Sequence, residues 1–188
     1  YIQHASDYGI NVKEASHDFG KVIQRSRDVA GGMSKGVQFL MGKNKITVLN
    51  GYGKVAPGKK VVVKGEDGKE TTYSAKNIII ATGGRSRELP ALKQDGVKII
   101  GYREAMTLPQ QPKSMVIVGS GAIGVEFAYV YNAMGTKVTV VEYLPRIVPN
   151  EDEDVSQQLE RSFKKNGIGI ETGAEVTHVD TKGAGCVV

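Results

Sequence analysis

Cysteine is almost absent: the 188 residues hold one, Cys186. An internal disulfide is therefore excluded, and with no CxxC spacing a thiolate metal site is excluded too. Cys186 reads as a small apolar residue near the end of the chain. Histidine is nearly as scarce. His4, His17 and His178 are far apart, so spacing alone builds no triad or ligand cluster. No apolar run approaches the ~18 residues of a membrane span, and no signal-peptide pattern opens the chain. The formal net charge is +5, yet no aromatics interleave with the basic residues as a nucleic-acid stacking platform requires. The positives alternate with acids instead, as in "KGEDGKE" (Lys64–Glu70) and "LERSFKK" (Leu159–Lys165), which is the pattern of solvated faces. Nucleic acid and membrane are both set aside as partners. One cysteine and no export signal favour a reducing interior, the cytoplasm or, in a eukaryote, the mitochondrial matrix.

Glycine is abundant. The 24 glycines are about twice the usual share of ~7%, and they have no period, so this is not low complexity. They point to tight turns and close backbone approaches. A hydrophobic content of 40% is enough for a core. The start at Tyr1 and the end in "GCVV" are what a central fragment, truncated at both ends, would show.

Apolar residues recur at helical spacing from Ser16 to Met41, predicting a long amphipathic helix loosened around Gly31 and Gly32. Short β-rich runs follow: "ITVL" (Ile46–Leu49), "KVVV" (Lys60–Val63) and "ETTYS" (Glu70–Ser74), the last two parted by an "EDG" turn. "NIIIAT" (Asn77–Thr82) has the continuous apolar character of a strand buried on both faces. A loop-rich bridge from Gly83 to Lys113, with Pro90, Pro109 and Pro112, marks a domain boundary. Beyond it the pattern is β-α-β-α-β: "SMVIVG", Ala122–Met134 with Gly135 as its terminating glycine, "KVTVVE", an acid-first and base-last helix ending at Gly167, then "IGIET" and "EVTHV" as short strands. The fold class is α/β, with residues 1–112 and 113–188 as the two domains.

The segment "VIVGSGAIGVEFAYVYNAMGTKVTVVE" (Val116–Glu142) carries chemistry. A dinucleotide presents a charged pyrophosphate, which the unpaired amides of a helix N-terminus hold well. The turn into that helix must be tight and bare. Gly119 makes the turn, Gly121 clears the approach beside Ser120, and Gly124 lets Ala122, Ile123 and the rest of the helix pack on the strand. A lone G-x-G-x-x-G is weak, but here strand, helix, second strand and a terminal acid are all present. Glu142 at the end of the second strand is placed to accept both adenosine ribose hydroxyls and to repel a 2′-phosphate, which selects NAD; Arg146 nearby keeps NADP in view. Glu126, expected in the first turn of the helix, has two readings left open, a dipole-complementing acid or a contact to the nicotinamide ribose.

"NGYGKV" (Asn50–Val55), a small β-meander, "NIIIATGG" (Asn77–Gly84) and the NAD-type unit, in that order, resemble the flavoprotein disulfide reductases, and within them the dihydrolipoamide dehydrogenases. The resemblance implies a Rossmann-like NAD-binding unit inserted into an FAD-binding α/β domain. It implies FAD contacts at Gly53, Thr82 and Gly83, an NAD site at Gly119–Gly124, Glu126 and Glu142, and a backbone contact to the adenine at Val176. It further implies a homodimer that oxidises dihydrolipoamide, free or on the lipoyl domain of a 2-oxoacid dehydrogenase complex, and passes the hydride through flavin to NAD⁺. The family's "ATG" is usually followed by Ser and, two residues later, by Pro, whereas this chain runs Gly83, Gly84, Arg85, Ser86. The redox cysteine pair, the first FAD loop and the catalytic His/Glu have no counterpart here, so no catalytic residue is transferred and the chain alone is expected to be inert. Two alternatives are another NAD(P)H-dependent flavoprotein disulfide or peroxide reductase and a non-catalytic nucleotide-binding module.

Overall fold

The computed structural model describes residues 2–90 and 92–188; Tyr1 and Ala91 lie outside the described residues. The chain divides into two compact units, one of Ser26–Arg85 and one of Tyr1–Arg25 with Ser86–Val188. Helix α1 spans Phe19–Lys43. Asp18 begins it, its carboxylate accepting from the Lys21 amide at 3.1 Å, as an N-cap aspartate does. The helix runs unbroken through Gly31 and Gly32, so the expected loosening there does not occur.

In the first unit, β1 (Tyr52–Ala56), β2 (Lys60–Lys64) and β3 (Glu70–Ser74) form an antiparallel meander in the order β1-β2-β3. Asp67 closes the expected turn by accepting from the Lys69 amide at 3.1 Å. Two expected strands of this unit are absent. Ile46–Leu49 and Asn77–Thr82 are unpaired, and Ile79 and Ile80 are 91% and 73% exposed rather than buried on both faces. An apolar run becomes a strand only where a neighbour takes its amides and carbonyls. Among the described residues no strand pairs with either run.

The second unit holds a short helix α2 (Tyr102–Ala105) and then β4 (Ser114–Val118), α3 (Ala122–Ala133), β5 (Lys137–Glu142), α4 (Glu153–Lys165) and β6 (Gly169–Thr172). The strands are parallel in the order β4-β5-β6, and α3 and α4 serve as the crossovers that parallel pairing demands. Gly135 and Gly167 stop α3 and α4 with positive φ. The last expected strand, Glu175–Val179, does not form; only Asp180 pairs, with Val187 in an isolated bridge.

Strand β5 is central, and alternation puts Val138, Val140 and Glu142 on one face. The two valines join Ala128, Tyr131, Phe163 and Ile168 in the core. Each large apolar side chain there contributes roughly 1.5–3 kcal/mol by burial. Tyr131 is buried, which raises its phenol pKa, and its hydroxyl donates to the Ala105 carbonyl at 2.6 Å. Tyr131→Phe should keep the packing and orphan that carbonyl. The expected cost is about 1–2 kcal/mol, a fall in Tm of roughly 2–8 °C by circular dichroism. An unchanged Tm would show that the bond contributes nothing net.

Candidate functional site

The site lies at the carboxyl end of the parallel sheet, where β4 turns into α3. The Gly119 amide still donates to the Val141 carbonyl at 2.8 Å, so the strand pairing holds until the turn begins. Gly119 then takes φ +99, a conformation that costs a side-chain-bearing residue. Gly121 starts α3 with no side chain capping it. That leaves the opening amides of the helix for a ligand, with the positive end of the helix dipole behind them.

The glycines differ in what a Cβ would meet. At Gly119 and Gly121 it would meet nothing within 4 Å, so the loop faces open space. At Gly124 it would run into the Gly119 carbonyl oxygen, so the helix rests on the turn itself. The outer side of the loop is therefore unobstructed at both glycines, while the glycine behind it serves packing. Ala122 and Ile123 are exposed in the first turn. Glu126 is exposed too, but as the fifth residue of α3 it lies one position past the first turn, not in it.

Glu142 is 8% exposed and Ser120 is fully buried. The Ser120 amide donates to Glu142 Oε2 at 2.8 Å, and the Ser120 hydroxyl donates to the same oxygen at 2.6 Å. The Leu144 amide donates to Oε1 at 2.9 Å. Burial by itself pushes the Glu142 carboxyl up. The hydrogen bonds from the Ser120 hydroxyl and from the Leu144, Ser120 and Tyr143 amides outweigh it and hold the group below its ordinary value. The site thus keeps a buried, charged carboxylate beside the glycine loop.

Two features here are not readable from spacing. The Ser120 hydroxyl reaches across from loop to strand end, and Val148 closes on it. The Val148 amide donates to the Ser120 carbonyl at 3.1 Å and to its hydroxyl oxygen at 3.2 Å. Val148 itself is buried at φ +41, a sparsely populated conformation for a β-branched residue. No motif in the sequence signals it. Arg146, weighed as a phosphate ligand, donates from Nη2 to the Pro149 carbonyl at 3.0 Å.

The chain after β6 is tied to the same corner. The Ala174 amide donates to the Glu142 carbonyl at 3.0 Å, and half-buried Val176 follows two residues later. Gly53, Thr82 and Gly83 belong to the other unit. All of them are exposed, and Gly83 has φ +77 with open space around it. A Cβ at Gly53 would make ordinary contact with Val61 at 3.7 Å, so the meander's own packing does not require glycine there. Among the described residues no cluster of His, Cys, Asp and Glu fit for a metal ion exists. No described helix is long and apolar enough to cross a membrane.

Residues 5–188 match the model of the pyridine nucleotide-disulphide oxidoreductases. The dihydrolipoyl dehydrogenase of Chlorobaculum parvum is 46% identical over 93% of this chain and 37% of its own length. That of Mycobacterium leprae is 41% identical over the whole chain and 40% of its own length. The crystal structure of LpdA from Mycobacterium tuberculosis superimposes with a TM-score of 0.87 at 26% identity, covering 98% of this chain and 40% of that one. This chain thus spans well under half the length of these relatives. With the family model covering nearly all of it, the chain belongs to the pyridine nucleotide-disulphide oxidoreductase family.

Proposed function

We propose that the chain forms the NAD-binding part, and a secondary portion of the FAD-binding part, of a dihydrolipoamide dehydrogenase. One observation carries the reading: a glycine loop facing open space, with a buried carboxylate anchored to the residue between its first two glycines. In this reading residues 113–188 hold the nicotinamide nucleotide and residues 1–112 belong to the flavin domain. Dihydrolipoyl dehydrogenase relatives at 41–46% identity support the choice of substrate.

The Ala122, Ile123 and Gly124 amides receive the pyrophosphate, and bare Gly119 and Gly121 admit it. Glu142 accepts from the adenosine ribose, and its charge disfavours a 2′-phosphate, which makes NAD rather than NADP the partner. Glu126 faces the nicotinamide ribose, and the Val176 backbone borders the adenine. Gly53, Thr82 and Gly83 let the flavin nucleotide approach main chain closely. Bound flavin and nicotinamide supply the two-electron chemistry. The residues here place them and hold compensating charge. With one exposed cysteine, the chain has no dithiol to exchange with dihydrolipoamide or a lipoyl domain. The redox pair would come from residues outside it, as would a homodimer interface. A cytoplasmic setting, or the mitochondrial matrix in a eukaryote, fits that partner.

NADH titrated into the purified chain, followed by nicotinamide fluorescence, tests this. Saturable binding competed by ADP-ribose and much weaker for NADPH is expected, with no turnover of dihydrolipoamide by the chain alone. Absence of saturable NADH binding by a folded chain would overturn it.

A further inference from the structure

We propose that Ser120 is a positioning residue that commits one oxygen of Glu142 inward and leaves the other as the sole direct reader of the cofactor's adenosine ribose. The inference rests on the function proposed above and adds to it. A carboxylate offers two acceptor positions on each oxygen. Both positions of Oε2 are taken, by the Ser120 amide at 2.8 Å and the Ser120 hydroxyl at 2.6 Å. Since Ser120 is fully buried, that oxygen faces protein. Oε1 carries the Leu144 amide at 2.9 Å, the Tyr143 amide is also directed at the carboxylate, and Oε1 is the oxygen left to meet an arriving hydroxyl.

The direction of the Ser120 hydroxyl is set by its surroundings. Its oxygen receives the Val148 amide at 3.2 Å, so its own proton goes to Glu142. Val148 is held in turn, its carbonyl accepting from the Glu151 amide at 2.9 Å and the Ser156 hydroxyl at 3.4 Å. A β-branched residue at φ +41 persists only where its surroundings over-determine it. The chain Ser156–Val148–Ser120–Glu142 therefore fixes the carboxylate's rotation before any ligand arrives.

One oxygen that already holds a backbone amide cannot accept two ribose hydroxyls equally well. In the full-length protein, NADH lacking the 2′- or the 3′-hydroxyl of the adenosine ribose should show unequal affinities. One loss should weaken binding on the order of tenfold, as for a charge-assisted hydrogen bond, and the other should change little. Equal losses would overturn the one-oxygen assignment. Ser120→Ala should weaken NADH on the order of tenfold and leave the analogue lacking both hydroxyls unchanged. It should also move the acid limb of NADH binding to higher pH. Parallel weakening of both ligands would mean a purely structural serine, and no change in either would remove its role. Should the unaltered protein bind NADH and the dideoxy analogue alike, the ribose reading of Glu142 fails as well. An asymmetric ribose preference that survives Ser120→Ala overturns only the present inference.

Discussion

Replacing Gly124 with alanine is expected to unfold the second unit at markedly lower temperature. The added Cβ would overlap the Gly119 oxygen and stand 3.2 Å from the Gly119 carbonyl carbon. Both obstacles are backbone, so no side chain can rotate away. The turn cannot retreat easily either, because the Gly119 amide is bonded to the Val141 carbonyl at 2.8 Å. Helix α3 must lift from β4, disturbing the packing of Ala128 and Tyr131 in the core. Overpacking against main chain costs about 3 kcal/mol or more, a fall in Tm of roughly 6–12 °C by calorimetry. Gly121→Ala is the contrasting variant. Its φ of −64 suits any residue and its Cβ meets nothing. It should melt within about 0.5 kcal/mol of the parent yet bind NADH at least about tenfold more weakly, because the methyl fills the approach to the pyrophosphate. If Gly121→Ala bound NADH normally, the loop would not be the cradle. Were Gly124→Ala to melt normally, the close approach of helix to turn would be wrong.

These two glycines also show what the sequence made legible. The strand, bare turn, helix and second strand around them follow from local patterns: apolar alternation, glycine spacing, an acid at the strand end. The elements so read pair with each other inside the chain, β4 with β5 and β5 with β6. The runs Ile46–Leu49, Asn77–Thr82 and Glu175–Val179 have the same local character and stay unpaired. Strand formation is a property of two segments, and composition reports only one of them. The Ser120–Val148 contact failed to show for a related reason. It joins positions 28 apart through a conformation at Val148 that its residue type disfavours. Sequence rules describe the common case, and they miss strained positions near sites for that reason.

The carboxylate those positions converge on carries the other large effect. Glu142→Gln looks conservative and is expected not to be. Oε2 accepts the Ser120 amide and Oε1 the Leu144 amide. A glutamine has one carbonyl oxygen, so whichever way it is turned its NH₂ confronts an N–H donor. One buried donor is left unpaired, at a cost of about 1–3 kcal/mol. The charge proposed to receive the ribose is lost too, and NADH affinity should fall at least about a hundredfold, the effect of ~3 kcal/mol. The pH dependence separates this loss from simple damage. The folded carboxyl titrates below its ordinary value of 4.5. Its contribution to stability is therefore complete above that value and disappears as pH falls from there through the folded pKa. Urea unfolding measured from neutral pH down into that window should show the gap between parent and Glu142→Gln narrowing as the acid limb is entered. A gap that stayed constant to the bottom of the window would mean that Glu142 is not held as an anion, and the case for it as the ribose acceptor would go with it.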